Sequence, residues 1–251
     1  EQLDQEKRSH LRTLDVDIKQ RLYGQDSAVD SVIEKILISR AGLKRINKPM
    51  GNFLFVGPTG TGKTELAKLL ADNLQMKLLR YDMTEYQEKH SVSKLIGAPP
   101  GYVGHDDGKM GGGLLVGDIE KNPHSIILFD EVEKAHQDIW NTFLRIFDEG
   151  IVTDAKGELV DFRNTIIIMT TNLGNDKIVD SLIATSAGFT QNVVFNRNTS
   201  KIPSRTVVEK TTHEAINKYF RPEFLNRIDK VVVFNHLTRE NCESIAQIEM
   251  S

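Results

Sequence analysis

The sequence has few of the residues that mark several common protein classes. It contains one cysteine, Cys242, in 251 residues. A single cysteine forms no disulfide within the chain, which fits a reducing compartment and argues against a secreted disulfide scaffold. Its apolar runs have the length of strands and are too short to cross a bilayer, so we predict no transmembrane helix.

Clusters of basic residues and of metal-binding residues are also missing. No long run of lysine and arginine occurs, and the formal net charge is -3, which argues against a nucleic-acid binder driven by bulk electrostatics. The seven histidines form no H-x-x-x-H or Cys/His cluster. We therefore predict no zinc held by protein ligands.

A glycine-rich segment fits the phosphate-loop pattern G-x-x-x-x-G-K-[ST] at every required position. It follows an apolar run, Phe53 to Val56, and precedes a helical pattern. In such a loop, backbone N–H groups turn toward phosphate oxygens, Lys63 supplies positive charge to the β and γ phosphates, and the Thr64 hydroxyl can reach Mg²⁺. We therefore predict a site for ATP with Mg²⁺. Its loop residues are Gly57, Pro58, Thr59, Gly60, Thr61, Gly62, Lys63 and Thr64.

A second apolar run, Ile126 to Phe129, ends in two carboxylates, Asp130 and Glu131. This is the pattern of a Walker B element, in which a buried strand emerges beside the phosphates. Asp130 is expected to hold the same Mg²⁺ as Thr64, and Glu131 to polarise the water that attacks the γ-phosphate. Because Glu131 is present, we predict hydrolysis of ATP rather than binding alone.

Five short apolar runs alternate with helical patterns along the chain. Continuous apolar strands separated by helices predict an α/β fold with a parallel sheet covered on both faces. Helical spacing is found at Leu11 to Leu22, from about Ser27 to Gly42, and around Phe143. Residues 176–203 have no sustained periodicity and are expected to contain a long exposed loop. The strands are predicted at Phe53–Val56, Leu78–Tyr81, Ile126–Phe129, Thr165–Met169 and Val231–Phe234.

Asn172 follows the fourth predicted strand, at the edge of the sheet where ligands collect. It is a candidate for orienting the attacking water. A turn or capping role before Gly174 is the alternative, and the residues alone leave both open.

These elements, in this order, resemble the AAA+ family. Within it the chain is similar to the second ATPase module of Clp-type protein unfoldases and disaggregases, and most like the ClpA type. The resemblance implies a P-loop NTPase fold with a five-stranded parallel sheet between two layers of helices. The matching segments are Gly24-Gln25, the phosphate loop, Leu95 to Gly104, Asp130 to His136, Asp161 to Asn164, Thr171-Asn172 and Phe220 to Asp229.

The resemblance also implies a domain organisation. Residues 1–22 are expected to form a lead-in helix, residues 23–236 the large ATPase domain, and residues 237–251 the start of a small helical domain. The chain begins at Glu1 without methionine and is expected to be an excerpt that lacks most of the small domain. The expected location is the cytoplasm, or the matrix or stroma of an organelle of bacterial origin.

Several residues receive roles from the resemblance. Asn172 becomes the sensor-1 residue, and Arg227 the arginine finger that reaches a nucleotide held by the neighbouring subunit of a hexamer. A salt-bridged surface arginine is the alternative for Arg227. Leu22 and Tyr23 are expected to pack against adenine, and the predicted catalytic set is Glu131, Lys63, Asn172 and Arg227.

The resemblance predicts contacts with other proteins for two loops and leaves a third open. Tyr102 and Val103 match the pore loop that grips an extended polypeptide, and the connection that follows them is longer and richer in glycine than is usual. Thr153 to Glu158 is either a second pore loop or a solvated hairpin turn. Ala187, Gly188 and Phe189 resemble the tip that docks on a ClpP-type peptidase.

The resemblance therefore implies a hexameric, Mg-ATP-driven unfoldase that pulls polypeptides through its pore and delivers them to a ClpP-type peptidase. A ClpB-like disaggregase without a peptidase is the alternative within the family. A nucleic-acid motor or clamp loader is a more distant alternative, and the aromatic Gly101 to Gly104 loop argues against it. A nucleotide-gated scaffold that does not hydrolyse is disfavoured by Glu131 and Arg227. No nucleic-acid or membrane partner is expected.

Overall fold

The computed structural model describes residues 13–43, 47–97, 113–154, 157–174 and 205–249. Within these ranges no helix is both long enough and apolar enough to span a membrane. The helices are α1 (13–19), α2 (Asp26–Ile38), α3 (Lys63–Leu74), α4 (Lys89–Ile96), α5 (Leu114–Lys121), α6 (Gln137–Glu149), α7 (Arg205–Tyr219), α8 (Pro222–Leu225) and α9 (Arg239–Glu249). The strands are β1 (Gly51–Val56), β2 (Lys77–Asp82), β3 (Ser125–Asp130), β4 (Ile151–Thr153), β5 (Leu159–Asp161), β6 (Ile166–Thr171) and β7 (Lys230–Val233).

Five strands form one parallel sheet in the order β2-β3-β6-β1-β7. Strand β1 lies between β6 and β7, with Val56 opposite Thr171 of β6. Strand β3 lies between β2 and β6, with Phe129 opposite Met169. The phosphate loop after β1, the carboxylates after β3 and the polar residues after β6 therefore meet at one edge of the sheet, where the carboxyl ends of the strands lie. We call this the carboxyl edge.

Side chains of the central strands alternate between two buried clusters, one on each face of the sheet. On β1, Leu54 and Val56 pack into one cluster with residues of α5 and α6. Phe53 and Phe55 pack into the other, with residues of α1, α2 and α3. Strands buried on both faces need apolar residues at every position, which explains their continuous apolar runs. The three-layer α/β fold with a five-stranded parallel sheet is confirmed.

The predicted elements agree closely with the observed ones. Each of the five predicted strands overlaps a strand of the sheet, with boundaries that differ by at most two residues. The α1 residues Leu14 and Ile18 are buried in the same cluster as α2 and α3, together with Leu22. The division into a lead-in helix, a large domain and the start of a small domain stays a prediction.

Strands β4 and β5 form a separate antiparallel hairpin. Its turn includes a hydrogen bond from the Glu158 backbone N–H to Asp154 Oδ1, at 2.7 Å. The hairpin named as one alternative for Thr153 to Glu158 is therefore present, although residues 155–156 lie outside the described residues. A second pore-loop role for this turn stays a prediction.

Candidate active site

The phosphate loop connects β1 to α3 and is shaped by its glycines. Gly62 precedes α3 with φ 96°, a left-handed conformation that L side chains rarely adopt. A Cβ on Gly62 would lie 2.7 Å from Leu22 Cδ1, and one on Gly57 would lie 2.8 Å from the Phe234 carbonyl oxygen. Close packing from two sides thus requires glycine at both positions. Helix α3 begins at Lys63, so its N-terminus faces the loop and favours an anion there.

Lys63 folds back over this loop. Its Nζ donates hydrogen bonds to the carbonyl oxygens of Gly57 and Pro58, at 2.6 and 2.7 Å. It also donates to Asn172 Oδ1, at 2.9 Å. Burial lowers the pKa of Lys63 to about 8, and the negative charges of Asp130, Glu133 and Glu131 oppose this shift. The structure therefore brings together the loop lysine, which follows β1, and the predicted sensor-1 residue, which follows β6.

The two carboxylates at the end of β3 are held by residues of the neighbouring strands β6 and β2. The Thr170 hydroxyl donates to Asp130 Oδ1 and accepts a hydrogen bond from the Glu131 backbone N–H, at 3.1 Å. On the other side, Arg80 Nη2 donates to Asp130 Oδ2, at 2.6 Å. Glu131 has φ 53° and ψ 51°, a strained conformation for a residue with a side chain. Such outliers are often found at functional sites, which favours a functional role for Glu131.

The Asp130 carboxylate fits the requirements of a Mg²⁺ site. Mg²⁺ prefers carboxylate, hydroxyl and water oxygens. The Asp130 side chain is 14% exposed, and each of its two oxygens accepts one hydrogen bond from the protein, from Thr170 and from Arg80. A carboxylate accepts about four hydrogen bonds or metal contacts, so about two remain for an ion or its water ligands. Thr64, at the start of α3, would supply the hydroxyl.

Glu133 is a further carboxylate at this site. Its Oε1 accepts a hydrogen bond from the Asn172 backbone N–H, at 3.2 Å. Among the described residues, its buried Oε2 has no hydrogen-bond partner. Glu133 thereby fixes the backbone of Asn172 and adds negative charge near Lys63.

Gln25 links the phosphate loop to the segment after β7. It is fully buried, and its Nε2 donates to the carbonyl oxygens of Thr61 and Asn235, at 3.1 and 2.9 Å. Its Oε1 accepts from the Asn235 backbone N–H, at 3.0 Å. Leu22 is buried against Gly62, whereas Tyr23 is half-buried. The adenine-packing role expected for Leu22 and Tyr23 stays a prediction.

Comparison with known proteins agrees with this geometry. Residues 48–231 match the family model described as AAA domain (Cdc48 subfamily). The chain belongs to this family.

Curated relatives show which proteins of this family the chain is similar to. It is 46% identical over 245 residues to the chaperone protein ClpB of Staphylococcus aureus (strain COL), an alignment that covers 96% of this chain and 26% of the relative. It is 44% identical over 246 residues to the chaperone protein ClpB of Meiothermus ruber, with coverage of 97% and 26%. The chain is thus a Clp-type AAA+ ATPase, and it spans about a quarter of the length of these curated relatives.

The predicted arginine finger of this AAA+ chain lies after α8. Arg227 Nε donates to Asp148 Oδ2 on α6, at 2.6 Å, and Nη1 donates to the Glu223 carbonyl oxygen. The intrachain ion pair considered as the alternative is therefore present. The role of Arg227 as an arginine finger toward a neighbouring subunit stays a prediction.

Two groups of predicted site residues lie outside the described residues. They are the pore-loop residues Tyr102 and Val103, and the peptidase-docking residues Ala187, Gly188 and Phe189.

Four side chains lie at this AAA+ site without a role predicted from the sequence. Thr170 is the first polar residue after the apolar run Ile166 to Met169, which was a usable signal. Gln25 and Glu133 stand in matched segments, but their contacts with distant backbone groups have no local pattern. Arg80 reaches Asp130 only because β2 and β3 are neighbours.

Proposed function

We propose that this chain is the Mg-ATP-hydrolysing motor module of a ClpB-like protein disaggregase. The observation that carries the proposal is the meeting of Lys63, Asn172 and the Asp130–Glu131 pair at the carboxyl edge of the sheet. The phosphate loop, a metal-binding carboxylate, a candidate base and a polar amide are the groups that ATP hydrolysis requires. The similarity to ClpB chaperones over nearly the whole chain supports the disaggregase over the other AAA+ functions.

Each residue has a defined part in the proposed reaction. Lys63 exchanges its contacts with the Gly57 and Pro58 carbonyl oxygens for contacts with the β and γ phosphates. Thr64 and Asp130 would hold Mg²⁺, which would neutralise phosphate charge when bound. Glu131 polarises the attacking water, and the Asn172 amide orients it.

The proposed assembly is a homo-hexamer that acts on protein chains. In it, Arg227 releases Asp148 and reaches the γ-phosphate held by the next subunit, where it stabilises charge in the transition state. Tyr102 and Val103 are proposed to grip the polypeptide in the axial pore, because aromatic gripping is insensitive to the sequence of the substrate.

The first experiment separates protein substrates from nucleic acid. ATP hydrolysis by the full-length protein is measured alone, with casein, and with single-stranded DNA. We expect casein to stimulate hydrolysis, Lys63→Ala to abolish the contribution of this module, and Lys68→Ala to leave it unchanged. Lys68 lies further along α3 in an exposed pair with Glu65, so it is a matched control for charge and helix position. Stimulation by DNA alone would overturn the proposal.

The second experiment separates the two Clp-type functions. Recovery of an aggregated reporter enzyme is measured in ATP, and degradation of an unfolded protein is measured with a ClpP-type peptidase added. We expect recovery of the reporter, and no degradation that depends on Phe189. Degradation that is lost on changing Phe189 to a charged residue would instead show delivery to a peptidase.

A further inference from the structure

Three threonines lie at or beside strand β6, but the structure gives only one of them contacts with the carboxylates. Thr165 donates its hydroxyl hydrogen bond to the Phe162 carbonyl oxygen, at 2.7 Å. The Thr171 hydroxyl accepts from the Leu173 backbone N–H, at 3.2 Å, within the turn after the strand. The Thr170 hydroxyl contacts both Asp130 and Glu131.

The chemistry of these partners fixes the orientation of the Thr170 hydroxyl. An ionised carboxylate only accepts hydrogen bonds, and a backbone N–H only donates. The O–H of Thr170 therefore points at Asp130 Oδ1, and its oxygen accepts from the Glu131 N–H at 3.1 Å. The side chain is 1% exposed, so water does not compete with either contact.

The contact with Glu131 occurs where the sheet no longer supports the chain. The paired register of β3 with β6 ends at Phe129 and Met169, and β3 itself ends at Asp130. Glu131 then takes a left-handed conformation, which is unfavourable for a residue with a Cβ. The hydrogen bond from its N–H to Thr170 stabilises this conformation, which sets the direction in which the Glu131 side chain leaves the backbone.

We propose that Thr170 is a positioning residue that aligns the metal-binding and water-activating carboxylates through one hydroxyl group. The inference rests on the proposed hydrolysis at this site. Thr170 is not expected to touch the nucleotide. It holds one oxygen of Asp130 and the backbone of Glu131, so that the two carboxylates keep a fixed relation to each other.

Removal of this hydroxyl has two expected effects. Thr170→Val keeps the branched shape but leaves Asp130 Oδ1 and the Glu131 N–H without this partner. Loss of a residue that orients a metal ligand usually costs about 10- to 100-fold in metal affinity or activity. We expect kcat for ATP to fall by about this factor, and the Mg²⁺ concentration needed for half-maximal binding of a fluorescent ATP analogue to rise. Thr170→Ser keeps the hydroxyl and is expected to restore both quantities to within a few-fold of the wild type.

Thr165→Val is the matched control. It removes a similar hydroxyl hydrogen bond from a fully buried threonine beside the opposite end of the same strand. We expect it to lower stability slightly, as loss of one hydrogen bond does, and to leave kcat and the Mg²⁺ dependence unchanged. If Thr170→Val does not fold, Thr170→Ala makes the same comparison without an added methyl group beside the carboxylate.

The full-length protein carries the variants, and any other ATPase module in it is silenced in every sample. Equal kcat and equal Mg²⁺ dependence for Thr170→Val and Thr165→Val would overturn the inference. If the wild type still hydrolyses ATP, the proposed function is unaffected by that result. A Thr170→Ser protein as impaired as Thr170→Val would also overturn it, because shape rather than the hydroxyl would then matter. A wild-type module that neither binds nor hydrolyses ATP would contradict the proposed function, and the inference with it.

Discussion

Lys63 Nζ lies 2.9 Å from Asn172 Oδ1, although the two residues are 109 positions apart in the chain. The contact joins the phosphate loop after β1 to the end of β6, its neighbour in the sheet. It also places a buried cation beside the amide predicted to orient the attacking water. The phosphate loop and the residue predicted to orient water are therefore in direct contact.

Lys63 gives the stability of the protein without nucleotide a defined pH dependence. Burial lowers its pKa from 10.5 to about 8. Between these values the unfolded chain keeps a proton that the folded chain has released, so stability rises with pH. Burial of the charged Lys63 side chain therefore destabilises the folded protein fully below about pH 8 and no longer does so above about pH 10.5.

Comparison with Lys63→Met isolates this contribution. Between about pH 8 and pH 10.5, we expect the free energy of unfolding of the wild type to rise by about 3 kcal/mol relative to that of the variant. Denaturant unfolding of both proteins across the pH range measures the gain. The hydrogen bonds lost in the variant shift its curve of unfolding free energy against pH by a constant amount. Two parallel curves would therefore contradict the pKa assigned to Lys63.

Gln25 is expected to support both stability and nucleotide binding. Gln25→Met keeps the length of the side chain but leaves the Thr61 carbonyl and both backbone groups of Asn235 without this partner. Unpaired buried polar groups cost about 1–3 kcal/mol each, so we expect a loss of at least about 2 kcal/mol in the free energy of unfolding.

The same variant tests the link to the phosphate loop. Because Thr61 loses an anchor, the affinity for a fluorescent ATP analogue should fall along with stability. Gln20→Met, the same change at an exposed position, should alter neither quantity. Unchanged nucleotide affinity in a destabilised Gln25→Met protein would show that the link is structural only.

The fold was predictable because its strands are buried on both faces. Short continuous apolar runs such as Ile126 to Phe129 fit few structures other than a buried strand, and each run proved to be a strand. Lys63, Asp130 and Glu131 were found because the motifs of a phosphate loop and a Walker B strand are local. The hydrogen-bond partners of these residues could not be found from local motifs. Thr170 and Asp130, for example, are 40 positions apart and meet only because their strands are neighbours in the sheet.

Arg227 is expected to act across a subunit interface. Full-length Arg227→Ala and Lys63→Ala should each abolish hydrolysis by this module when any other ATPase module is silenced. In mixed hexamers, about a quarter of the interfaces would combine an intact phosphate loop with an intact arginine. We therefore expect the mixture to regain up to about a quarter of the wild-type rate, measured as ATP turnover.

Asp148→Asn is the control for the intrachain ion pair. It removes one charge from the pair with Arg227 but leaves Arg227 available to a neighbour. We expect it to retain hydrolysis. Loss of activity equal to that of Arg227→Ala, with no recovery in mixed hexamers, would assign Arg227 to the ion pair alone.

Glu131→Gln in the full-length protein, with any other ATPase module silenced, tests the central claim that this site hydrolyses ATP. The measurement is single-turnover hydrolysis and binding of radiolabelled ATP, with Glu120→Gln at an exposed position of α5 as the control. The account predicts that Glu131→Gln binds ATP and retains it without cleavage, while Glu120→Gln cleaves it at the wild-type rate. Cleavage by Glu131→Gln at the wild-type rate would contradict the account.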